Sequence, residues 1–467
     1  MRDMVAQAMD RIVPYLAALP EQRMHTMTGG KKLARWLREP LPEEGAPFDK
    51  LLTMLFSRVF PATINTASPG YLAYIPGGGL FHAAVADLVT LSVNRYVGLF
   101  AAAPGLVQLE VNVISWFATM MGMPAGSGGL LTTGGSMANL TALVTARRER
   151  LPPDFLSGII YTSTEAHHSV RKAALIAGFP GANVREIATD SHFRMIPAAL
   201  ASAIEEDRAA GKTPFFLAAA AGTTNTGAVD DLEALGALAE RERLWFHVDA
   251  AYGGFFLLTE RGRAAMKGVA RADSITLDPH KSLFLPYGTG CLLVRDRESL
   301  RRAHAVAGAY MPPMQTEDDL VDFCEISPEL SRDSRGLRVW LPLKMHGARV
   351  FRAELDEKLD LARYAVEALR KIEGVEIVAE PQLSLLAFRV RSPGQSEAEI
   401  DALTRRVIAA VNERQRVFLT GAMVKGRYLI RMCILSFRTH RDRVDMAIED
   451  IATSVSNHLT TRAEESS

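Results

Sequence analysis

The stretch Leu244-Trp245-Phe246-His247-Val248-Asp249-Ala250-Ala251 runs apolar up to a carboxylate, and Ser274-Ile275-Thr276-Leu277-Asp278-Pro279-His280-Lys281 repeats the design and ends on a lysine. Neither run alternates polar with apolar residues, which is the mark of a strand buried on both faces. The spacing between Asp249 and Lys281 is about one strand–helix–strand unit, so both side chains are predicted at the carboxyl ends of neighbouring strands, facing one crevice. Similar runs occur at Ser157 to Tyr161, Phe215 to Ala220 and Cys291 to Val294, with helical patterns such as Asp231 to Glu242 between them. Strand and helix alternating over residues 61–345 predict a large α/β domain with a mostly parallel sheet.

Outside that domain the pattern changes. Apolar residues at Val5, Met9, Ile12, Val13 and Leu16 recur at helical spacing, and a second helical stretch covers Phe48 to Val59 before Pro61. Residues 1–60 are therefore expected to form a helical segment that needs a packing partner, either the main domain or a second subunit. Met311 to Arg335 combines Pro312, Pro313 and Pro328 with many acids and shows no period, which predicts a long loop, a lid or a connector. Residues 346–467 read as a small α+β domain: strands at Val375 to Ala379, Leu385 to Val390 and Tyr428 to Ile434, helices around Glu397 to Val411 and from His440 on, and a frayed tail from Glu464. Residues 111–146 carry no Asp, Glu, Lys or Arg, but Pro124 and several glycines interrupt them, so they read as a buried helix, a loop and a second helix start.

Composition narrows the function classes. The 467 residues are 48% hydrophobic, and 53 Lys and Arg balance 53 Asp and Glu. A neutral chain lacks the overall basic charge usual for nucleic-acid or anionic-membrane binding. Cys291, Cys324 and Cys433 are far apart with no CxxC pair, so neither a disulfide framework nor a zinc site is signalled. The N-terminal apolar stretch is broken by Arg2, Asp3, Asp10 and Arg11, unlike a secretory signal, and the cytoplasm is the expected location.

Four features at predicted strand ends carry chemistry. Gly134-Gly135-Ser136-Met137 precedes a Leu- and Ala-rich helix and can cradle a phosphate on backbone N–H groups, or serve as a plain turn and cap. Asp249 needs a cationic or protonated partner in its apolar surroundings; a structural salt bridge would also satisfy it. Lys281, in an apolar crevice, would be a nucleophile toward aldehydes rather than a surface lysine. His167 and His168 follow Tyr161-Thr162-Ser163-Thr164; adjacent side chains diverge, which disfavours metal binding and leaves a flat ring that stacks on a cofactor or a buried structural histidine. A phosphate cradle, a flat imidazole, a carboxylate and an amine together match the needs of pyridoxal phosphate.

At this point the chain resembles a known family, the group II pyridoxal-phosphate decarboxylases, which includes the aromatic-L-amino-acid, histidine, glutamate and 2,4-diaminobutyrate enzymes. The resemblance runs from about Ser68 to Ser436. It rests on Pro69-Gly70-Tyr71-Leu72-Ala73-Tyr74, Ala103-Pro104-Gly105 through Leu109-Glu110, Gly134-Gly135-Ser136, Glu165-Ala166-His167, Gly222-Thr223-Thr224, His247-Val248-Asp249-Ala250-Ala251-Tyr252 and Asp278-Pro279-His280-Lys281.

The resemblance implies a type I pyridoxal-phosphate fold, like that of aspartate aminotransferase, and a homodimer whose active sites lie at the subunit interface. It implies Lys281 as the Schiff-base lysine, Asp249 as partner of the pyridinium nitrogen and His167 as the stacking ring. Ser136, the Met137 amide and His280 would hold phosphate, with Thr224 beside the ring and Ala251 on its far face. The segments expected near the substrate, with Tyr74, Pro76, Leu99 and Phe100, are apolar and aromatic, which favours a large apolar or aromatic amino acid.

Three departures stand out. Ser282 replaces the Trp that many members carry after the lysine, and Ala138 replaces a hydroxyl residue in the phosphate turn. Asp322-Phe323 matches an Asp-Tyr pair whose Tyr is catalytic in the aromatic enzymes. The reaction expected is decarboxylation of an L-amino acid to the amine. The alternatives are an aldehyde synthase that loses the phenol at 323, or a transaminase or other lyase on the same fold. Tyr310 is a further candidate for the acid that protonates the α-carbon.

Overall fold

The computed structural model describes residues 1–25, 29–306, 308, 311, 314–317 and 319–465, with side chains as far as 459. The chain forms two compact units. One comprises Met1–Pro76, Tyr364–Val378 and Phe388–Ser467, the other Gly77–Arg363 and Ala379–Ala387.

The second unit is built on seven strands: β1 (Gly128–Thr132), β2 (Gly158–Ser163), β3 (Val184–Ile187), β4 (Thr213–Ala220), β5 (Trp245–Asp249), β6 (Ser274–Leu277) and β7 (Gly290–Val294). They lie in the order β1-β7-β6-β5-β4-β2-β3. Strands β2 to β6 pair in parallel, and β7 alone runs against both neighbours, β6 and β1. This is the α/β class with a mostly parallel sheet that the residue pattern implies. Strands β2, β6 and β7 are buried at every position, which explains their unbroken apolar runs. Beside β2 and β4 the helices Gly135–Arg150 and Ser169–Ile176 pack Leu143, Ala146, Val170 and Ala173 against Ile160, Phe215, Phe216 and Trp245.

Strand β1 corrects the sequence reading, which has a loop there. Its glycines permit the pairing: a Cβ on Gly129 would lie 2.0 Å from the Leu292 carbonyl oxygen. Edge strand β3 was not anticipated either. Its four residues are buried only at the two ends, Val184 and Ile187, and give a weak pattern. The stretch read as a loop from Met311 contains a short helix, Phe323–Ile326.

The first unit carries a four-stranded sheet, β8 (Val375–Ala379), β9 (Leu385–Val390), β10 (Thr420–Val424) and β11 (Arg427–Cys433), in the order β10-β11-β9-β8. Its last helix, Arg441–Glu465, includes Glu464 and Glu465, which the sequence reading assigns to a frayed tail. Among the described residues no helix is long and apolar enough to cross a membrane.

One buried acid ties the carboxyl end of β4 to its surroundings. Asp230 accepts the backbone N–H of Ala220 and of Met195, both at 2.7 Å. Burial pushes its pKa up to about 6 despite those two bonds. Its folded pKa thus exceeds the unfolded value, so the folded state binds the extra proton and this group's contribution to stability falls as pH rises from about 4 to about 6. Asp230→Asn should flatten that slope in melting curves taken across the window. It should also lower stability throughout by about 1–3 kcal/mol, since an amide can accept only one of the two N–H bonds without opposing its own donors.

Candidate active site

The carboxyl ends of β2, β4, β5 and β6, with the turn after β1, enclose a cavity of about 280 Å³ in the second unit. Ser136, Met137, His167, Thr224, Asp249, Ala251, His280 and Lys281 all line it. These eight are the residues named from the sequence for cofactor binding and catalysis.

Asp249 is held from two sides. Its Oδ2 accepts from Asn139 Nδ2 at 3.0 Å and its Oδ1 from the Ala251 N–H at 3.2 Å. Asn139 is in turn fixed by a buried polar chain. Its second amide hydrogen reaches Ser169 Oγ at 2.9 Å, and its Oδ1 accepts from Thr276 Oγ1 at 2.6 Å and from His247 Nε2 at 3.0 Å. The Ser274 hydroxyl accepts from Trp245 Nε1 and lies 2.8 Å from His247 Nδ1; because Asn139 Oδ1, facing Nε2, can only accept, the His247 proton is on Nε2. Burial lowers the pKa of His247 to about 4, against the pull of Asp249, so the ring is neutral and the orientation of the Asn139 amide is settled.

The same logic fixes His167. The Ser169 N–H donates to Nδ1 at 3.3 Å and the Ser169 hydroxyl lies 2.7 Å from it, so Nδ1 is the acceptor and Nε2 keeps the proton. Burial lowers the pKa of this ring as well, with Asp249 opposing. His280 turns its Nδ1 to the Thr289 carbonyl at 2.7 Å, leaving Nε2 for the cavity side. Lys281 Nζ lies 2.9 Å from Asp278 Oδ2. Ser282 is buried and donates to the Tyr252 carbonyl at 2.7 Å, which ties the lysine turn to the Ala251–Tyr252 segment.

These donors fit pyridoxal phosphate. The helix Gly135–Arg150 opens into the cavity with no side chain capping it, which leaves its first turn to an anion. Gly135 is required there, because a Cβ would lie 2.9 Å from Asp278 Oδ2 and 3.3 Å from Ala251 Cβ. A flat neutral imidazole, a carboxylate fixed by N–H donors and an amine complete the set.

The five residues expected to form the substrate pocket do not line this cavity. Tyr74 and Pro76 belong to the first unit, where Tyr74 is exposed and in the left-handed region (φ 50°). Leu99 and Phe100 lie in the second unit beside the stretch that carries Phe323: the Phe100 N–H donates to Asp322 Oδ1, and the Gly98 carbonyl accepts from Cys324. Phe323 itself is fully buried, with the Arg332 guanidinium 4.4 Å over its ring. The sequence reading places this ring at the substrate; the structure places it under Arg332, whose side chain is itself buried on Glu110. Tyr310 lies outside the described residues.

Sequence reasoning missed Asn139, Ser169 and Asp278. Asn139 left one usable signal: a polar residue on the inward face of a Leu- and Ala-rich helix is rarely idle.

Residues 31–391 match the family model described as the pyridoxal-dependent decarboxylase conserved domain. The chain is 35% identical to an aromatic-L-amino-acid decarboxylase of Bacillus atrophaeus, over 98% of this chain and 96% of that protein. It is 29% identical to a phenylacetaldehyde synthase of Petunia hybrida, over 92% of this chain and 88% of that one. Among solved structures, Oryza sativa TDC with PLP and tryptamine superposes with a TM-score of 0.93 at 27% identity, covering 98% of this chain and 97% of that chain. With the cavity's residues, these likenesses settle the class: the chain belongs to the pyridoxal-dependent decarboxylases, carboxy-lyases that use pyridoxal phosphate on amino acids.

Proposed function

We propose that this enzyme decarboxylates an aromatic or other large apolar L-amino acid, releasing CO2 and the amine. The observation that carries the reaction type is the convergence of Lys281, Asp249, His167 and Ser136 on one cavity. The substrate class is supported by the aromatic-L-amino-acid decarboxylase at 35% identity and by the tryptamine-bound TDC structure.

When bound, pyridoxal phosphate supplies the electron sink for the pair left behind as CO2 departs. Lys281 is the lysine that would hold it, through Nζ. Asp249, held by the Asn139 amide and the Ala251 N–H, would pair with the ring nitrogen and keep it protonated. His167 would lie flat on one face of the ring and Ala251 would pack the other, with Thr224 alongside. Ser136, the Met137 amide and His280 would take the phosphate. Asp249→Ala should retain some cofactor yet lower kcat by a factor on the order of 10² to 10⁴. Asn139→Ala, which removes one of the two donors that hold Asp249, should lower kcat by about tenfold, with steady-state kinetics of both variants as the check.

A homodimer is part of the proposal. The helix Phe81–Val93 exposes Val85, Leu88, Val89, Leu91 and Val93, an apolar face too continuous for a monomer's surface. The N-terminal helix Arg2–Ala17 likewise exposes Met4, Val5 and Val13. Because Leu99 and Phe100, both partly exposed, do not line the cavity of their own unit, we assign substrate contacts to a site shared between two subunits. Light scattering should show a dimer, and Leu88→Glu with Leu91→Glu should give a folded monomer with little activity. Full activity of that monomer would overturn the shared site.

Phe323 favours a second reading on one point: a phenyl ring carries no proton to deliver to the α-carbon, and a phenylacetaldehyde synthase is among the similar proteins. The deciding experiment presents purified enzyme with aromatic, imidazole and acidic amino acids and scores amine, aldehyde, ammonia, peroxide and oxygen uptake per CO2. Amine from aromatic substrates without oxygen uptake is the expected result. Stoichiometric oxygen uptake that falls in Phe323→Tyr would establish the aldehyde route instead.

A further inference from the structure

Asp278 is a buried acid that the reading above leaves without a task. Its side chain is 3% exposed, its Oδ2 lies 2.9 Å from Lys281 Nζ, and its Oδ1 has no hydrogen-bond partner among the described residues. The next side-chain nitrogen, His280 Nε2, is 3.7 Å away. His167 feels the charges of Asp249, Lys281 and Asp278, and Cys291 of the adjacent strand feels Asp278. Of the two carboxylates near the lysine, Asp249 has each oxygen taken by a donor of its own, whereas the strong bond of Asp278 is the one to Lys281. A buried carboxylate with a single close cation holds that cation charged, because a neutral amine would leave it uncompensated.

We propose that Asp278 is the docking partner of the released lysine: whenever Lys281 is not bonded to the cofactor, Asp278 holds it as an ammonium and keeps it from attacking. The inference rests on Lys281 being the lysine that holds pyridoxal phosphate. Asp278 is a positioning residue in this scheme, since it acts on substrate and cofactor only through Lys281. The exchange balances without any other reactant. A substrate arriving as an ammonium would take over the C=N bond from Lys281 Nζ, with one proton on the C=N nitrogen before and after the exchange: two of the substrate's nitrogen protons pass to the lysine, and Lys281 leaves with three hydrogens and one positive charge. In the pocket of a neutral acceptor the lysine would shed a proton and compete with the substrate for the same carbon. Loading of the empty enzyme runs through the same gate: the ammonium proton must leave before Nζ can bond to the cofactor's aldehyde carbon, whose oxygen departs as water.

The test strips the full-length protein of cofactor, adds pyridoxal phosphate back across neutral to alkaline pH, and follows the rate of visible absorbance, with borohydride reduction and peptide mapping to identify the lysine. In Asp278→Asn the pH midpoint of loading should fall by about one to three units, so that loading near neutral pH is at least tenfold faster than in the parent. Asp278→Ser serves if the Asn variant does not fold. A third measurement needs no substitution: competitive labelling of the stripped parent with a trace electrophile should show Lys281 titrating no lower than the exposed lysines. Equal loading midpoints in parent and variants, or a parent Lys281 that titrates well below the exposed lysines, would overturn the role of Asp278 while leaving the cofactor lysine as assigned. Borohydride fixation at a different lysine would overturn both.

Discussion

The amide of Asn139 is the joint on which the cavity depends. It is the one group that touches the carboxylate on β5, the serine that fixes His167, the threonine on β6 and the neutral histidine inside the sheet. Each of those bonds has a fixed donor direction, and a reversed amide would set its oxygen against Asp249 Oδ2 and its N–H against the Nε2–H of His247. A low-dielectric setting makes such a mismatch costly, so the network has one workable arrangement and carries the stacking ring and the charged acid in register. Trp245 and Ser274 extend the same chain to the far end of β5, where the apolar core takes over.

Parallel pairing is what delivers these parts to one place. Strands β2, β4, β5 and β6 all end on the same side, so the turns that follow them bring His167, Thr224, Asp249 and Lys281 together although they are distant in sequence. The strand β7 runs the other way and contributes no turn to that edge; it supplies a seat for β1 and thereby for the phosphate cradle.

Most strands of the large sheet were legible because they do not alternate polar with apolar residues: Ser274–Leu277 matches the sequence reading residue for residue, and the runs ending at Ala220 and Val294 stop where the strands do. Strand β1 was not legible, since Gly128 and Gly129 look like a turn until the Leu292 carbonyl is seen against them. The cavity's own residues could be named from strand ends and motifs. Asn139 and Asp278 could not, because their importance lies in which atoms they meet, and the periodicity of a helix or a strand carries no such information. Phe323 was named from a motif alone, and the packing of its ring beneath a buried arginine is a contact that no motif announces.

The seating of β1 on β7 also sets an order of events during synthesis. Thr132 faces Gly290 across the ladder, and Gly134 to Ser136 begin where that ladder ends. A ribosome delivers the first half of the cradle early, but the strand that positions it emerges only after β2 to β6 have been made. Until then the glycine turn has no fixed orientation and the amine of Lys281 has no cradle opposite it. A nascent chain cut short before β7 would hold most of the sheet's core and still be unable to retain the phosphate, so acquisition of the cofactor belongs to the last stage of folding of this unit.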